Sequence, residues 1–314
     1  MKYIFGVDIG GMSVKIGLVD LDGNILLKET VKTDRNPVKL VDDVTNLINE
    51  MLIKCNLSFN DVLGVGVGCP GMINSTKGTV DCWENLDWID VELVSMLNEK
   101  LGVSVRLSND ANAAIMAEVV WGAAKNYRNA IMLTLGTGVG GGVVIDGKLF
   151  EGGEGKGTEL GHITIVKDGI YCNCGRKGCL EVYASATALM NQTKDAMLED
   201  KSSLMWKLAN NNIDNVNGKI PFEASKQGDI SAIKVVDKYV EYLSDGIMSL
   251  LNIFRPEVVL IGGGVSGAGD YFINKIKAYC EKYYYGMNKT PVPEIKVASL
   301  GNDAGILGAA SLIM

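Results

Sequence analysis

Histidine is nearly absent from this chain of 314 residues, which has one, and a long apolar run is absent altogether. A membrane-spanning helix needs about eighteen or more consecutive apolar residues. The longest runs here, such as the one from Val258 to Val265, are broken by glycine and sized for buried strands. The N-terminus has no basic stretch followed by an apolar segment and a cleavage site, so no secretory leader is expected. These absences point to a cytoplasmic protein with no membrane partner. An excess of basic charge is missing too, since 30 Lys and Arg face 37 Asp and Glu, a formal net charge of −7. Such a chain repels a phosphate backbone, and no basic cluster offsets the repulsion, so nucleic acid is excluded as a partner. The seven cysteines do not suit a disulfide framework: the number is odd, and Cys55, Cys69, Cys82 and Cys280 are scattered.

What the chain does have is glycine, 38 of them, within a composition that is 47% hydrophobic and 21% charged. Length and composition fit a globular protein of two domains. The single histidine lies close to the other three cysteines, in the stretch Gly157 to Glu181. His162, Cys172, Cys174 and Cys179 are four N/S donors, the number and type that satisfy a tetrahedral Zn²⁺ with no open position. A closed site of this kind is structural. Glu159 stands three residues before His162 and Glu181 two after Cys179, so the metal would tie two carboxylates to one rigid point.

Along the chain, Tyr3 to Asp8 has strand character, Gly10-Gly11 turns it, Val14 to Asp20 returns, and Asp22-Gly23 leads into Asn24 to Lys28. Val41, Val44, Leu47, Ile48, Met51 and Leu52 recur at helical spacing. Val62 to Gly68 and Val103 to Leu107 are further strands, the second delivering Asn109 and Asp110 to an alanine-rich helix. From Ala130 the opening pattern recurs: Ile131 to Leu135, a turn at Gly136-Thr137-Gly138, Gly141 to Ile145, then Asp146-Gly147 and Lys148-Leu149. The repetition suggests an internal duplication. Asp229 is placed to cap a long amphipathic helix from Ile230 to Leu251, Val258 to Ile261 is a buried strand running into Gly262-Gly263-Gly264, and an apolar helix closes the chain.

Three glycine turns after strands offer backbone N–H groups to an anion, with positive φ available to aim them at one point. Neither a P-loop pattern nor a strand-to-helix G-x-G-x-x-G with a downstream acid is present. Phosphates held between two hairpins fit better. Asp8, beside Gly10 at a strand end, suits a hydrated Mg²⁺ that escorts nucleotide phosphates, or else caps the turn. Asp110 is either the N-cap of its helix or a general base that takes the proton of an acceptor hydroxyl during phosphoryl transfer. Asn109, Glu159 and Glu181 can clamp vicinal hydroxyls, which a polyol substrate would supply.

Taken together, DIGG at Asp8, GVGCPG at Gly66, ENL at Glu84, NDANAA at Asn109, LGTGVGGG at Leu135, ELGH at Glu159, CNCGRKGCLE at Cys172 and IGGGVS at Ile261 resemble the bacterial ROK group over essentially the whole chain. That group holds repressors, uncharacterised reading frames and sugar kinases, within the acetate kinase, sugar kinase, Hsp70 and actin superfamily. The resemblance implies an α/β fold of two RNase H-like, actin-like ATPase lobes around a cleft. Residues 1–118 with a C-terminal helix at 303–314 would form the smaller lobe, and residues 119–302, with the structural zinc site, the larger.

The implied activity is ATP- and Mg²⁺-dependent phosphorylation of a hexose, glucose to glucose 6-phosphate first of all. Asp110 matches the catalytic base. Gly68, Asn85, Asn109, Asp110, Glu159, His162 and Glu181 match sugar-contacting positions, with one ring nitrogen of His162 on zinc and the other toward the sugar. His162, Cys172, Cys174 and Cys179 match the zinc ligands; Asp8, Gly10, Gly11, Thr137, Gly138 and Gly263 match the nucleotide side. One departure is visible. The group usually reads DIGGT, and Met12 stands here in place of the threonine, with Ser13 as the candidate substitute. Other substrates within the same reading are N-acetylglucosamine, N-acetylmannosamine, fructose and allose, and a catalytically silent sugar sensor is the alternative from another class. The group's repressors carry a helix-turn-helix domain ahead of the first strand; this chain starts on that strand at Tyr3, so the module is expected to be absent. Homodimers or tetramers are the implied assemblies.

Overall fold

The computed structural model describes residues 2–286 and 289–314. Two five-stranded sheets dominate it, and both have the same strand order. In the first, β1 (Tyr3–Ile9) is central, flanked by β2 (Ser13–Asp20) and then β3 (Ile25–Lys32) on one side. On its other side lie β4 (Val62–Cys69) and β8 (Val105–Asn109), both running parallel to their neighbours. The second sheet repeats this plan with β11 (Lys148–Leu149), β10 (Val139–Ile145), β9 (Ala130–Leu135), β12 (Val258–Gly262) and β13 (Glu294–Val297), in that order. Ordered by sequence within each sheet, both read third, second, first, fourth, fifth, the topological form of the duplication that the glycine hairpins suggested. Between β4 and β8 the chain inserts a small antiparallel sheet of β5 (Met72–Asn74), β6 (Thr79–Trp83) and β7 (Trp88–Val91).

The period-two pattern of β4 explains how the first sheet is covered. Its residues alternate valine and glycine, and successive side chains point to opposite faces. Val65 and Val67 pack with Phe5, Val7 and Ile9 of β1 against helix α1 (Pro37–Lys54), while Leu93, Leu97 and Leu101 of α2 (Leu93–Leu101) join the same cluster. The glycine face receives two helices, α3 (Asp110–Val120) and, at the chain end, α10 (Ala304–Ser311). A β-carbon at Gly66 would strike the backbone of Ala309, so α10 approaches the sheet at backbone distance only because the side chain is missing. Ile4, Val19, Ala117, Ile306, Leu307 and Ala310 form the core on that side.

Around the second sheet run α4 (Glu181–Ala184), α5 (Ala186–Glu199), α6 (Leu204–Leu208), α7 (Ile220–Lys226), α8 (Ile230–Phe254) and α9 (Asp270–Tyr283). Asp229 caps α8 as its position suggested, accepting a hydrogen bond from Ala232 N at 2.7 Å. Tyr239 in α8 is fully buried and its hydroxyl donates to Ala184 O at 2.6 Å.

The chain falls into two compact units, Met1–Arg128 with Gly142–Thr158 and Ser299–Met314, and Asn129–Gly141 with Glu159–Ala298. Within the first unit Gly147 N donates to Arg128 O at 2.7 Å and Ser108 Oγ to Glu151. No helix among the described residues is long and apolar enough to cross a membrane.

Candidate active site

In the first unit three parallel neighbours, β1, β4 and β8, end side by side, and β1 and β8 deliver polar side chains at their carboxyl ends. Asp8 pairs with Gly68 in register, Gly68 with Ser108, and Cys69 with Asn109. Ligand sites of α/β sheets form at such strand ends. Asn109 caps α3, its Oδ1 accepting from Ala111 N at 2.9 Å, and Asp110 is the first residue of the helix proper. The capping role that Asp110 might have filled therefore belongs to Asn109.

The Asp110 carboxylate also accepts from Ala111 N at 2.9 Å. It remains accessible to solvent but is crowded by protein, and this desolvation raises its pKa above 3.8 against the opposing pull of backbone N–H groups. Asp8 is raised too, chiefly by burial and further by the negative charge of Asp110, while Lys15, its cross-strand partner 3.9 Å away, pulls it down. Between the two, the buried Cys69 thiol is pushed far up by burial and by both aspartates, so it stays protonated and inert.

Beside these strand ends the turn Gly10–Met12 joins β1 to β2. Gly10 N donates to Ser13 O at 3.0 Å, and Thr33, buried behind the turn, donates its hydroxyl to Gly10 O at 2.6 Å and its N–H to Met12 O at 3.2 Å. Met12 projects into solvent with 87% of its surface exposed, and Ser13 is committed to the start of β2. Gly11, Met12, Thr33, Arg35 and Asn85 line one recess of about 830 Å³. Asn85 sits in a single turn, Glu84–Leu86, fixed by the buried Trp83 and Trp88, whose rings meet edge to face at 5.5 Å. Trp88 Nε1 donates to Arg35 O at 2.7 Å. In this unit the structure thus gathers Asp8, Gly68, Asn109 and Asp110 at one sheet edge, and Gly10, Gly11 and Asn85 around the adjoining turn.

In the second unit the four N/S donors converge. Their ligand atoms lie within 4.8 Å of one another, with Cys174 Sγ to Cys179 Sγ at 3.6 Å and His162 Nδ1 to Cys172 Sγ at 3.7 Å. A zinc tetrahedron built on bonds of about 2.0–2.3 Å has edges of roughly 3.5–3.8 Å, which these two separations match, and three thiols with an imidazole are a donor set that suits the ion. Short backbone bonds hold the loop: Cys172 N to Arg176 O at 2.8 Å, Gly178 N to Ile170 O at 2.8 Å and Leu180 N to Ile163 O at 2.9 Å.

Glu181 links this loop to the turn between β9 and β10. Its Oε2 accepts from Val139 N at 3.0 Å and lies where a β-carbon on Gly138 would be, while its Oε1 is 3.9 Å from Cys172 Sγ. The same turn is fastened from the other side, where Ala186 N donates to Gly136 O and Thr187 Oγ1 to Thr137 O, both at 2.8 Å. Thr137 itself is exposed. Gly263 follows β12 with φ +80°, and a side chain there would strike the backbone of Leu135. Of the glycines proposed for the nucleotide, only Gly263 adopts positive φ; Gly10, Gly11 and Gly138 do not. Positive φ, available at all three turns, is used only at the last; Gly138 is glycine because Glu181 occupies the space of its side chain. Glu159 is exposed and precedes the turn Leu160–His162, its carbonyl accepting from His162 N at 3.0 Å.

Two supporting residues escaped the sequence reading. Thr33 is one. Glu118 is the other, wholly buried in α3 and accepting from Ala123 N, Ser299 N, Ser299 Oγ and Leu300 N at 2.6–2.9 Å. A carboxylate on the alanine face of an otherwise apolar helix was the signal for it.

The sequence profile of the ROK family matches residues 4–314. A glucokinase of Thermotoga maritima is 39% identical over 311 residues, 99% of this chain and 96% of that protein. A glucokinase of Streptomyces coelicolor is 35% identical over 314 residues, covering 99% and 98%. Among solved structures, a ROK family glucokinase from Streptomyces griseus in complex with glucose and AMPPNP superimposes with a TM-score of 0.82 at 33% identity, covering 99% of this chain and 98% of that one. On the match along its length and these full-length relatives, the chain belongs to the ROK family.

Proposed function

We propose that this protein is an ATP-dependent hexose kinase that converts glucose to glucose 6-phosphate, with Asp110 as general base. The observation that carries the proposal is the position of Asp110, beside Asp8 and the Gly10–Met12 turn at the ends of β1, β4 and β8. Burial raises its pKa, which makes it a better proton acceptor than an ordinary surface carboxylate. Full-length relatives named glucokinase, at 35–39% identity, support the choice of glucose.

In the proposed reaction Asp110 accepts the proton of the sugar 6-hydroxyl as its oxygen attacks the γ-phosphorus. The bond from that phosphorus to the β,γ-bridging oxygen breaks, and ADP leaves. Phosphoryl transfer of this kind depends on positioning and charge neutralisation more than on covalent chemistry. N–H groups of the turns at Gly10-Gly11, Thr137-Gly138 and Gly263 would hold phosphates. Gly68, Asn85, Asn109, Glu159, His162 and Glu181 would hold the sugar. His162 Nδ1, on the cysteine side, would be the metal-binding nitrogen, which leaves Nε2 for a sugar oxygen. Asp8, with its carboxylate beside the turn, is the residue to hold Mg²⁺, which when bound neutralises phosphate charge. Zinc on His162, Cys172, Cys174 and Cys179 would be structural, since all four positions are filled by protein.

An ATP-coupled assay over glucose, mannose, fructose, allose, N-acetylglucosamine and N-acetylmannosamine tests this function. Glucose is expected to give the highest kcat/KM; a preference for an N-acetylated sugar would reassign the substrate, and binding of sugar without turnover would make the protein a sensor.

A further inference from the structure

The glycine-rich segment 151–158, EGGEGKGT, is fastened to the β8–α3 junction at both ends, and the two fastenings stand on either side of Asp110. At the first end Glu151 accepts from Ser108 Oγ at 2.5 Å and from Ser75 Oγ at 2.9 Å. Ser108 is 1% exposed and lies two residues before Asp110. At the other end the Thr158 hydroxyl lies 3.2 Å from Asn112 Oδ1 and 2.7 Å from Gly157 O, the two acceptors for its one proton. Asn112 is 2% exposed and lies two residues after Asp110. Between the ends, Lys156 Nζ is 2.6 Å from Asp81 Oδ2, and Gly155 lies so close over Ser75 that a side chain there would collide with it.

Thr158 holds its place at a cost. Its φ is +63°, and it is the one β-branched residue with positive φ among the described residues, the other non-glycine ones being Asn, Asp, Glu and Arg. A β-branched side chain is a true outlier in that region, and such strain persists where the surroundings over-determine the conformation. Glycine would take the same φ without strain, and four of the segment's eight residues are already glycine. A threonine kept at this position is explained by its side chain.

We propose that Glu151 and Thr158 are positioning residues, which make segment 151–158 a strap that fixes Asp110 from both sides and sets the backbone that enters Glu159. The proposal rests on the hexose-kinase reading for its catalytic readout. The strap leaves the protein's chemistry to Asp110 and lowers the freedom of the helix turn that bears it, and small displacements of a reacting group are costly in rate.

Thr158→Gly separates this from a merely structural role, because it relieves the backbone strain while deleting the hydroxyl. The expected result is a fall in kcat for glucose on the order of tenfold, with KM for ATP unchanged, a melting temperature equal to or above that of the wild type, and near-full recovery in Thr158→Ser. Ser108→Ala, which unties the other end, should lower kcat in the same way. Amide hydrogen exchange supplies a readout that needs no turnover: Ala113 to Met116 should exchange about tenfold faster in Thr158→Gly than in wild type. If Thr158→Gly keeps wild-type kcat and wild-type exchange in α3, the strap is refuted. If the wild type phosphorylates no hexose, the kinase reading fails instead, and unchanged exchange in the variant would still overturn the strap.

Discussion

Replacing Asp110 by Asn removes a charge and almost nothing else. The amide keeps an oxygen where Oδ1 accepts from Ala111 N, and Asn109 continues to cap the helix, so α3 should start as before. What is lost is the proton acceptor. General-base catalysis is worth roughly 10²–10⁴ in rate, or about 2.7–5.4 kcal/mol of transition-state stabilisation, and kcat should fall by that factor with glucose affinity nearly intact. Stability should move the other way. The folded protein holds the Asp110 proton to higher pH than the unfolded chain does, so between 3.8 and the raised value the folded state binds more protons, and stability declines as pH rises through that window. Above it the full cost of a desolvated carboxylate persists, and Asp110→Asn removes that cost. The variant should melt higher than wild type at pH 7, by a margin that shrinks as the pH is lowered toward 4. Coupled-assay kinetics and thermal melts at pH 7 and pH 4.5 check both halves. A variant within a few-fold of wild-type kcat would refute the base assignment; one that melts lower at pH 7 would refute the electrostatic argument.

Further outcomes follow from particular contacts. Glu118→Ala should destabilise by about 3–5 kcal/mol in urea unfolding, because four donors at Ala123, Ser299 and Leu300 lose a buried charged acceptor together. Met12→Thr should lower KM for ATP several-fold at unchanged KM for glucose, since Met12 projects an exposed apolar side chain from the turn proposed to hold phosphates; equal ATP kinetics would mean that backbone N–H groups suffice there. Zinc removal by a chelator should lower the melting temperature and weaken glucose binding in calorimetry, through loss of the loop that places Glu181 on Val139. Normal glucose binding by metal-free protein would separate the metal from the sugar site.

Most of the fold was legible because period and punctuation agreed. The Val/Gly alternation of β4, the two glycine hairpins and the capped helix at Asp229 each appear where local pattern placed them, and the repeated strand order bears out the duplication. The small sheet β5–β7 was not legible: its strands are three to five residues long, too short for a period to show. Strand β3 runs to Lys32, beyond the expected end at Lys28, because its alternation continues through charged residues on an exposed face. The helix Asp270–Tyr283 carries its buried face on Phe272, Ile273, Ile276 and Cys280 among charged and aromatic neighbours that blurred the pattern. At the site, residue types singled out the His162, Cys172, Cys174 and Cys179 cluster and Asp110, since few other roles need four N/S donors close together or an acid at a strand end. The supports, Thr33, Glu118, Glu151 and Thr158, act mainly through partners 21 to 182 residues away, and no local pattern encodes such pairings.

The proposed reaction moves the γ-phosphoryl group of ATP to the 6-hydroxyl of glucose. ³¹P NMR of the protein incubated with ATP, Mg²⁺ and glucose tests it directly, because it reports both transfer and position. A growing resonance of glucose 6-phosphate matched by ADP is expected. Phosphate released to water, phosphorylation at another hydroxyl, or unchanged ATP would contradict it.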